Sequence, residues 1–215
     1  MSTDATPSPA PDTSPVAYPP APWQMVGQMW VSVFRVGRDV DERHPKGVYG
    51  AAFVSYEEGS PLTYSELLVA RVMRTPAGER RVSITDIWVD SPASVAGGRG
   101  LSAIPKGLGD FESSTSQRGP LSRASWSMST AGQPVASARF SDLSSLAPRV
   151  PAKGGTWQAP IDAHTVPVET GMAGRSKVAP CTARWDFDPA GPLGWLAGRR
   201  HLLSFRQRDF TLSFG

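Results

Sequence analysis

The chain has 215 residues, of which 40% are hydrophobic and 19% are charged, and its formal net charge is +3. This composition is typical of one globular domain with its own core, and the absence of a basic run interleaved with aromatic residues argues against a nucleic-acid partner. The single cysteine, Cys181, excludes an internal disulfide and a metal site built from cysteines. No apolar run is long enough to cross a membrane as a helix, so we expect no membrane partner.

The first twenty residues are rich in Pro, Ala, Ser and Thr and lack the basic start and apolar centre of a signal peptide. We therefore predict that residues 1–20 form a disordered tail. Residues 21–215 are predicted to form a single domain, and the protein is expected to be cytoplasmic.

The first half of that domain is predicted to consist of β-strands separated by turns. Hydrophobic residues occupy both faces of the first strand, which indicates a strand in a barrel or a covered sheet. The predicted strands cover residues 24–36, 47–56, 64–73 and 80–89. Ser91 and Pro92 are typical of the N-cap and first position of a helix, and we expect this helix to end at Gly97 and Gly98.

The second half is also predicted to be mostly β. A turn at residues 131–134 indicates a hairpin, and the Pro- and Gly-rich stretch 149–168 is predicted to be a connection without strands. The remaining predictions are hairpin strands at 121–128 and 135–140, a turn or short helix at 189–196, and strands at 176–187 and 202–214. This pattern predicts a mainly β fold, an antiparallel β-barrel or curved sheet with a few short helices.

Residues 98–109, GRGLSAIPKGLG, place a lysine directly after a proline in a largely apolar segment. If Lys106 is buried next to Ile104, Pro105 and Leu108, desolvation disfavours its ammonium form and lowers its pKa. Its amine then becomes available as a nucleophile. The alternative from the residues alone is a loop lysine whose charged end lies in water.

The same segment resembles the active-site segment of acetoacetate decarboxylase, which contains the lysine that forms a Schiff base. Residues 63–66, TYSE, resemble that family's Tyr-x-Glu block, and residues 22–24, PWQ, resemble the start of its first strand. The three blocks occur in the family's order. The resemblance implies a β-rich, cone-like fold, with Lys106 as the nucleophile and Glu66 as the acid/base.

The chain differs from the family around this lysine. Gly107 stands where the family has a second lysine, and Ala51 falls where it has another pocket glutamate. An arginine of the family's first strand falls near Gln28. We expect Gln28, Arg99 and Ile104 to contact the substrate.

A neutral lysine amine attacks a ketone and forms an imine, and the protonated imine accepts the electron pair of a breaking neighbouring bond. One such lysine serves decarboxylation, tautomerisation or aldol chemistry. An unperturbed lysine is less than ~0.1% neutral at pH 7, so the site has to favour the neutral amine.

The sequence therefore predicts a lysine Schiff-base lyase for a small oxo acid, by decarboxylation or by related aldol or dehydratase chemistry, without a metal or organic cofactor. The alternative is a protein on the same fold that binds a small ligand without turnover, with Lys106 protonated. Under either interpretation we expect a homo-oligomer.

Overall fold

The computed structural model describes residues 16–215. Residues 1–15 of the predicted tail lie outside the described residues. The strands and the helix have the following bounds: β1 Trp23–Val36, β2 Gly47–Tyr56, β3 Tyr64–Arg74, β4 Arg80–Val89, α1 Pro92–Ser102, β5 Gly107–Leu108, β6 Asp110–Arg118, β7 Leu121–Thr130, β8 Gln133–Asp142, β9 Arg149–Gln158, β10 Val168–Phe187 and β11 Arg200–Phe214. Single 3₁₀ turns occur at Ser144–Leu146 and Gly194–Leu196. Over this range no helix is both long enough and apolar enough to cross a membrane.

The strands form one sheet in the order β11-β1-β2-β3-β4-β9-β10-β8-β7-β6, and β5 pairs with β4. Because β10 also pairs with β11, the seven strands from β11 to β10 close into a ring. The ring is antiparallel except at β4 and β9, which meet at one parallel bridge between Val82 and Thr156. The 20-residue β10 continues past the ring and pairs with β8, so that β8, β7 and β6 form a second layer. The prediction of a mainly β, antiparallel fold with few helices is confirmed.

The two faces of β1 contribute to two separate hydrophobic clusters. Trp30 and Phe34 pack in an outer cluster with residues of β7, β8 and the second half of β10, between the ring and the second layer. Met25, Met29 and Val31 pack in a cluster with members on all seven ring strands and on α1. Only the inside of the ring brings one face of all seven strands together, so this second cluster is the ring interior, and α1 covers one end of it.

The prediction that the helix ends at Gly97 and Gly98 was wrong. Helix α1 continues to Ser102 and ends at Ala103, which adopts the left-handed conformation with φ of 51°. The two glycines are needed for packing instead. A Cβ on Gly97 would lie 2.5 Å from the ring of Trp23, and a Cβ on Gly98 would lie 2.7 Å from Cδ of Lys106.

The prediction of a strandless connection over residues 149–168 was also wrong. Residues Arg149–Gln158 form β9, which pairs with β10 from Val168 onward. Pro151 lies opposite Arg175 in this ladder. Strand β6, which has mostly exposed Ser, Thr and charged residues and lacks hydrophobic alternation, was not predicted.

Candidate active site

The side chain of Lys106 lies in the ring interior beneath α1 and is only 6% exposed. Its Nζ donates hydrogen bonds to Glu66 Oε2 at 2.8 Å, to Ser94 Oγ at 3.0 Å and to the Tyr64 hydroxyl at 3.2 Å. An ammonium group has three N–H donors. Every donor of Lys106 therefore has a side-chain acceptor.

Two structural elements supply these acceptors. Tyr64 and Glu66 are two residues apart on β3, so their side chains project from the same face of the strand. Ser94 lies in the first turn of α1, where its backbone N–H bonds to the hydroxyl of the N-cap Ser91 at 3.2 Å. The helix cap therefore fixes the position of the serine that contacts the lysine.

The segment after α1 directs Lys106 back under the helix. The Ile104 N–H bonds to the Gly98 carbonyl at 3.0 Å, and the Lys106 N–H bonds to the Ile104 carbonyl at 2.8 Å. Gly107 then begins β5, which pairs with β4. The absence of a side chain at Gly98 allows the lysine stem to pass directly against the helix.

Glu66 is 2% exposed and is bonded through both carboxylate oxygens. Oε2 accepts from Lys106, and Oε1 accepts from the hydroxyl of Tyr56 at 3.3 Å. The rings of Tyr56 and Tyr64 are 4.4 Å apart. The group is thus a lysine–glutamate ion pair bordered by two phenols and one hydroxyl.

Burial alone would lower the pKa of Lys106, but the Glu66 carboxylate and the Tyr64 hydroxyl outweigh it, and the pKa of the amine is raised. Burial, followed by the negative charge of Glu66, raises the pKa of Tyr56 well above its usual value. Burial also raises the pKa of Tyr64, although the Lys106 charge acts in the opposite direction. The expectation of a lowered Lys106 pKa rested on desolvation, and the Glu66 carboxylate and the Tyr64 hydroxyl act in the opposite direction.

The other residues expected to contact the substrate lie elsewhere. The guanidinium of Arg99 bonds to Asp162 through two contacts of 2.8 Å and to the backbone carbonyl of Lys106 at 3.2 Å, and it makes no described hydrogen bond inside the ring. Gln28 bonds to Glu57 at 2.5 Å and to Arg206. Ile104 is half-buried beside the lysine. The structure does not bring Gln28 or Arg99 to Lys106 Nζ, and substrate contact by these residues stays a prediction.

Sequence reasoning missed Tyr56 and Ser94. Tyr56 ends β2, and its β-sheet partner is Tyr64, which brings it beside the Tyr-x-Glu block. The sequence of β2 alone does not show which residue of β3 lies opposite Tyr56. Ser94 occurs three residues after the N-cap, where a serine is easily interpreted as part of the helix start. In residues 16–215, no group of three or more His, Cys, Asp or Glu side chains could bind a metal ion.

A second buried ion pair lies on the opposite face of the ring wall. Arg206 Nη1 is 3.1 Å from Asp142 Oδ2, and both residues are about 5% exposed or less. The guanidinium lies over the ring of Trp30 at 4.6 Å, within the outer cluster. Asp142 also accepts hydrogen bonds from the backbone N–H and hydroxyl of Ser144. This pair joins β11 to β8.

Comparisons with known proteins agree with this architecture. The sequence model of a family described as acetoacetate decarboxylase (ADC) matches residues 6–168. The enduracididine biosynthesis enzyme MppR, in complex with pyruvate, has a similar structure with a TM-score of 0.61 and 17% identity, and the alignment covers 96% of this chain and 92% of that one. An acetoacetate decarboxylase from Legionella pneumophila has a TM-score of 0.58 at 12% identity, covering 94% and 90%.

An acetoacetate decarboxylase-like enzyme from Sphingomonas wittichii RW1 has a TM-score of 0.57 at 14% identity, covering 97% of this chain and 96% of that one. At these identities the structural likeness is one of fold. No curated protein matches the chain in sequence.

Proposed function

The chain belongs to the acetoacetate decarboxylase family, and on that premise we propose that it is a lysine Schiff-base lyase for a small oxo acid. One observation supports this function above all others. Lys106 is buried in an apolar ring interior, and the acceptor closest to its Nζ is a carboxylate 2.8 Å away. A carboxylate at this distance can take a proton from the amine and return it.

The reaction begins when this proton leaves the amine. Transfer from Nζ of Lys106 to Oε2 of Glu66 converts the ion pair into a neutral amine and a carboxylic acid. Attack on a bound ketone consumes the neutral amine and so draws this transfer forward, although the ion pair is the favoured form. The raised pKa of Lys106 describes the site without substrate.

The neutral amine then attacks the ketone carbon. A C–N bond forms, and the carbonyl oxygen takes the proton from Glu66. The amine nitrogen returns a proton to the Glu66 carboxylate, and the hydroxyl leaves as water when Glu66 protonates it. The products are a protonated imine on Lys106, a carboxylate on Glu66 and one water molecule, so charge and atoms balance.

The protonated imine accepts the electron pair of the neighbouring bond that breaks. For a 3-oxo acid this bond joins the α-carbon to the carboxylate, CO₂ leaves and a neutral enamine remains. Glu66 takes up one proton from solvent and delivers it to the enamine carbon, which restores the protonated imine. Water then hydrolyses this imine to the ketone and the Lys106 ammonium. Aldol and dehydratase chemistry use the same imine and differ in which neighbouring bond breaks.

The alternative is a protein that binds a small ligand without turnover. The raised pKa of Lys106 favours it, because an amine that stays protonated binds a carboxylate but does not attack a ketone. In this case a ligand carboxylate would replace Tyr64 or Ser94 as an acceptor of the ammonium, whose charge Glu66 balances.

Borohydride trapping separates the two functions. The protein is incubated with acetoacetate, with pyruvate (the ligand named for the MppR structure) and with longer 2-oxo and 3-oxo acids. It is then reduced, and the intact mass and the modified peptide are measured. We expect a covalent adduct on Lys106 that is absent from Lys106→Met. Binding of an oxo acid to the unmodified protein without any adduct would overturn the lyase function and leave the binding function.

We also propose a homo-oligomer. Light scattering coupled to gel filtration measures the mass directly, and a monomer at all concentrations tested would contradict this proposal.

A further inference from the structure

The second layer, together with the part of β10 that pairs with β8, has one covered face and one open face. Trp126, Ala138 and Phe140 point towards the ring and pack in the outer cluster. Successive residues of a strand point to opposite faces of a sheet, so the residues that alternate with these point away from the ring. All of them are at least partly exposed. This open face consists of residues 110, 112, 114, 116 and 118 of β6, 123, 125, 127 and 129 of β7, 137, 139 and 141 of β8, and 182, 184 and 186 of β10.

The open face has its acidic residues at one end. Glu112 on β6 lies opposite Ser127 on β7. Ser127 lies opposite Ser137 on β8, which in turn lies opposite Asp186 on β10. This row therefore crosses all four strands and has a carboxylate at each of its two ends. Asp110 lies two residues before Glu112 on the same face of β6 and extends the acidic end.

The other end of the open face is basic. The row next to the acidic one contains Arg139 directly opposite Arg184, and Arg123 and Arg118 lie beyond it on β7 and β6. Like charges directly opposite each other destabilise a sheet, so a carboxylate supplied from outside the chain would stabilise this pair. Every remaining position of the open face is Ser or Thr, and these short side chains let another surface approach closely.

The charges of the open face have no counter-charge within the described chain. Elsewhere, the partly exposed side chains of Arg81, Arg99 and Lys177 each form a salt bridge. Between residues 16 and 215, no acidic or basic side chain of the open face does so. The two ends are separated along the strands, and each is left with an unbalanced charge.

The acidic end is also concave. A surface cleft of about 600 Å³ is lined by Asp110, Glu112, Asp186 and Asp188, the last of which follows the end of β10. No lysine or arginine lines this cleft. The open face therefore has a negative concavity at one end and long arginine side chains at the other, and the two ends are complementary in charge and in shape.

We propose that the open face binds the open face of a second copy of this chain, with the acidic end of each copy over the basic end of the other. A twofold axis gives this arrangement when it lies between the two faces and runs perpendicular to the strands, because rotation about it reverses the strand direction. A twofold axis parallel to the strands would place like charges over each other. This inference names the contact surface of the homo-oligomer proposed above and rests on that proposal.

The size of the open face sets the strength of the contact. Four strands about 4.8 Å apart, with a rise of about 3.3 Å per residue, give a face of about 19 Å by about 28 Å. Two copies would then bury about 1,000 Å² in total, which is the lower limit for a specific interface. Salt screens exposed charges, so we expect a dimer that weakens as the salt concentration rises.

The test reverses the charge of one end at a time. Arg139→Glu with Arg184→Glu makes the open face largely acidic, and Glu112→Arg with Asp186→Arg makes it largely basic. In either double variant two open faces repel each other. We expect the dissociation constant of self-association, measured by sedimentation velocity in about 0.1 M salt, to rise by about tenfold or more. Wild-type association should weaken in about 1 M salt, where the Debye length is about 3 Å.

Two recoveries and one control identify the face. An equal mixture of the two double variants should associate as wild type does, because an acidic face meets a basic one. The variant with all of these changes exchanges the two ends and should again self-associate. The matched control is Arg35→Glu with Arg200→Glu, since these arginines are also exposed and directly opposite each other but lie on β1 and β11. It should associate as wild type does.

Self-association that is unchanged in both double variants, or that is equally weakened in the control, would overturn the inference and leave the homo-oligomer to another surface. A loss without recovery in the mixture and in the combined variant would also overturn it, because charge across the contact would not be the cause. A wild type that is monomeric at all concentrations would refute both the homo-oligomer and this contact. Borohydride trapping on Lys106 should be the same in every variant, so a failure of the lyase function is detected separately.

Discussion

The two buried ion pairs of this protein lie on opposite faces of one sheet and differ in what surrounds them. Lys106 and Glu66 lie in the ring interior, where their neighbours are two phenols and a serine hydroxyl. Arg206 and Asp142 lie between the ring and the second layer, where the guanidinium covers an indole ring. Both pairs are nearly inaccessible to water.

The difference lies in which proton can move. An arginine guanidinium stays charged in proteins, so its pair with Asp142 acts as a permanent link between β11 and β8. A lysine can lose its proton to a carboxylate in contact with it, and the site then contains a nucleophile. Burial of an ion pair is therefore not in itself a mark of an active site.

The largest expected effect is on stability, at the arginine pair. Arg206→Met leaves the Asp142 carboxylate buried without its cation, and we expect a loss of about 3–5 kcal/mol in the free energy of unfolding, measured by urea denaturation. The double variant Arg206→Met with Asp142→Leu should recover much of this loss, because no charge remains buried. An Arg206→Met protein as stable as wild type would contradict the structural role assigned to the pair.

The next effect concerns pH at the lysine pair. Glu66→Gln removes a group that raises the Lys106 pKa and leaves burial, the largest influence, which lowers it. We expect the pH profile of borohydride trapping to move to lower pH in this variant, while turnover falls because the acid/base is lost. A profile that stays in place or moves to higher pH would show that the carboxylate does not control the amine.

The same pair also contributes to stability at alkaline pH. Because the folded-state pKa of Lys106 lies above its ordinary value of 10.5, the ammonium stabilises the folded protein fully below pH 10.5, and this contribution is lost as the pH rises further. The stability difference between wild type and Lys106→Met should therefore shrink above that pH in alkaline urea titrations. A stability difference that stays constant up to the most alkaline pH studied would contradict a raised pKa of Lys106 in the folded protein.

A smaller effect is expected at the helix that covers the lysine. In Gly98→Ala the added Cβ lies 2.7 Å from Lys106 Cδ and 2.8 Å from Cε, so the stem has to move and trapping should slow by about tenfold. Gly100→Ala is the matched control on the same helix, because its Cβ would meet the Tyr18 hydroxyl instead. Equal trapping rates for the two variants would show that the position of the stem does not limit the reaction.

The smallest effect is expected for Tyr56→Phe. Its hydroxyl bonds to Glu66 Oε1 at 3.3 Å, a long hydrogen bond on the side of the carboxylate away from the lysine. The trapping rate should change by a few-fold at most. A complete loss of adduct would place Tyr56 in the reaction itself.

The sequence predicted several elements well because their patterns are local. The bounds of β2 and β4 match the predictions, and the alternation in β1 indicated that both of its faces are covered. The prediction failed where tertiary contacts override local preference. Gly97 and Gly98 continue the helix because side chains pack against them, and β9 is a strand because β10 pairs with it.

The candidate site shows the same division. Lys106 and Glu66 were identified from two short blocks of sequence. Tyr56 and Ser94 reach the site only through the register of β2 with β3 and through the capped start of α1. The direction of the Lys106 pKa depends on Glu66 and Tyr64 as well as on burial, and the segment 98–109 contains neither of these residues.

The closure of the ring by β11 has a consequence for how this protein is made. Strand β1 pairs with β11 along most of its length, so the wall that faces Lys106 is synthesised long after the lysine. When α1 and β5 have emerged from the ribosome, the nucleophile and its acceptors lie on a sheet that is still open. The apolar residues of the interior therefore remain accessible to chaperones and to other nascent chains until residues 200–214 emerge.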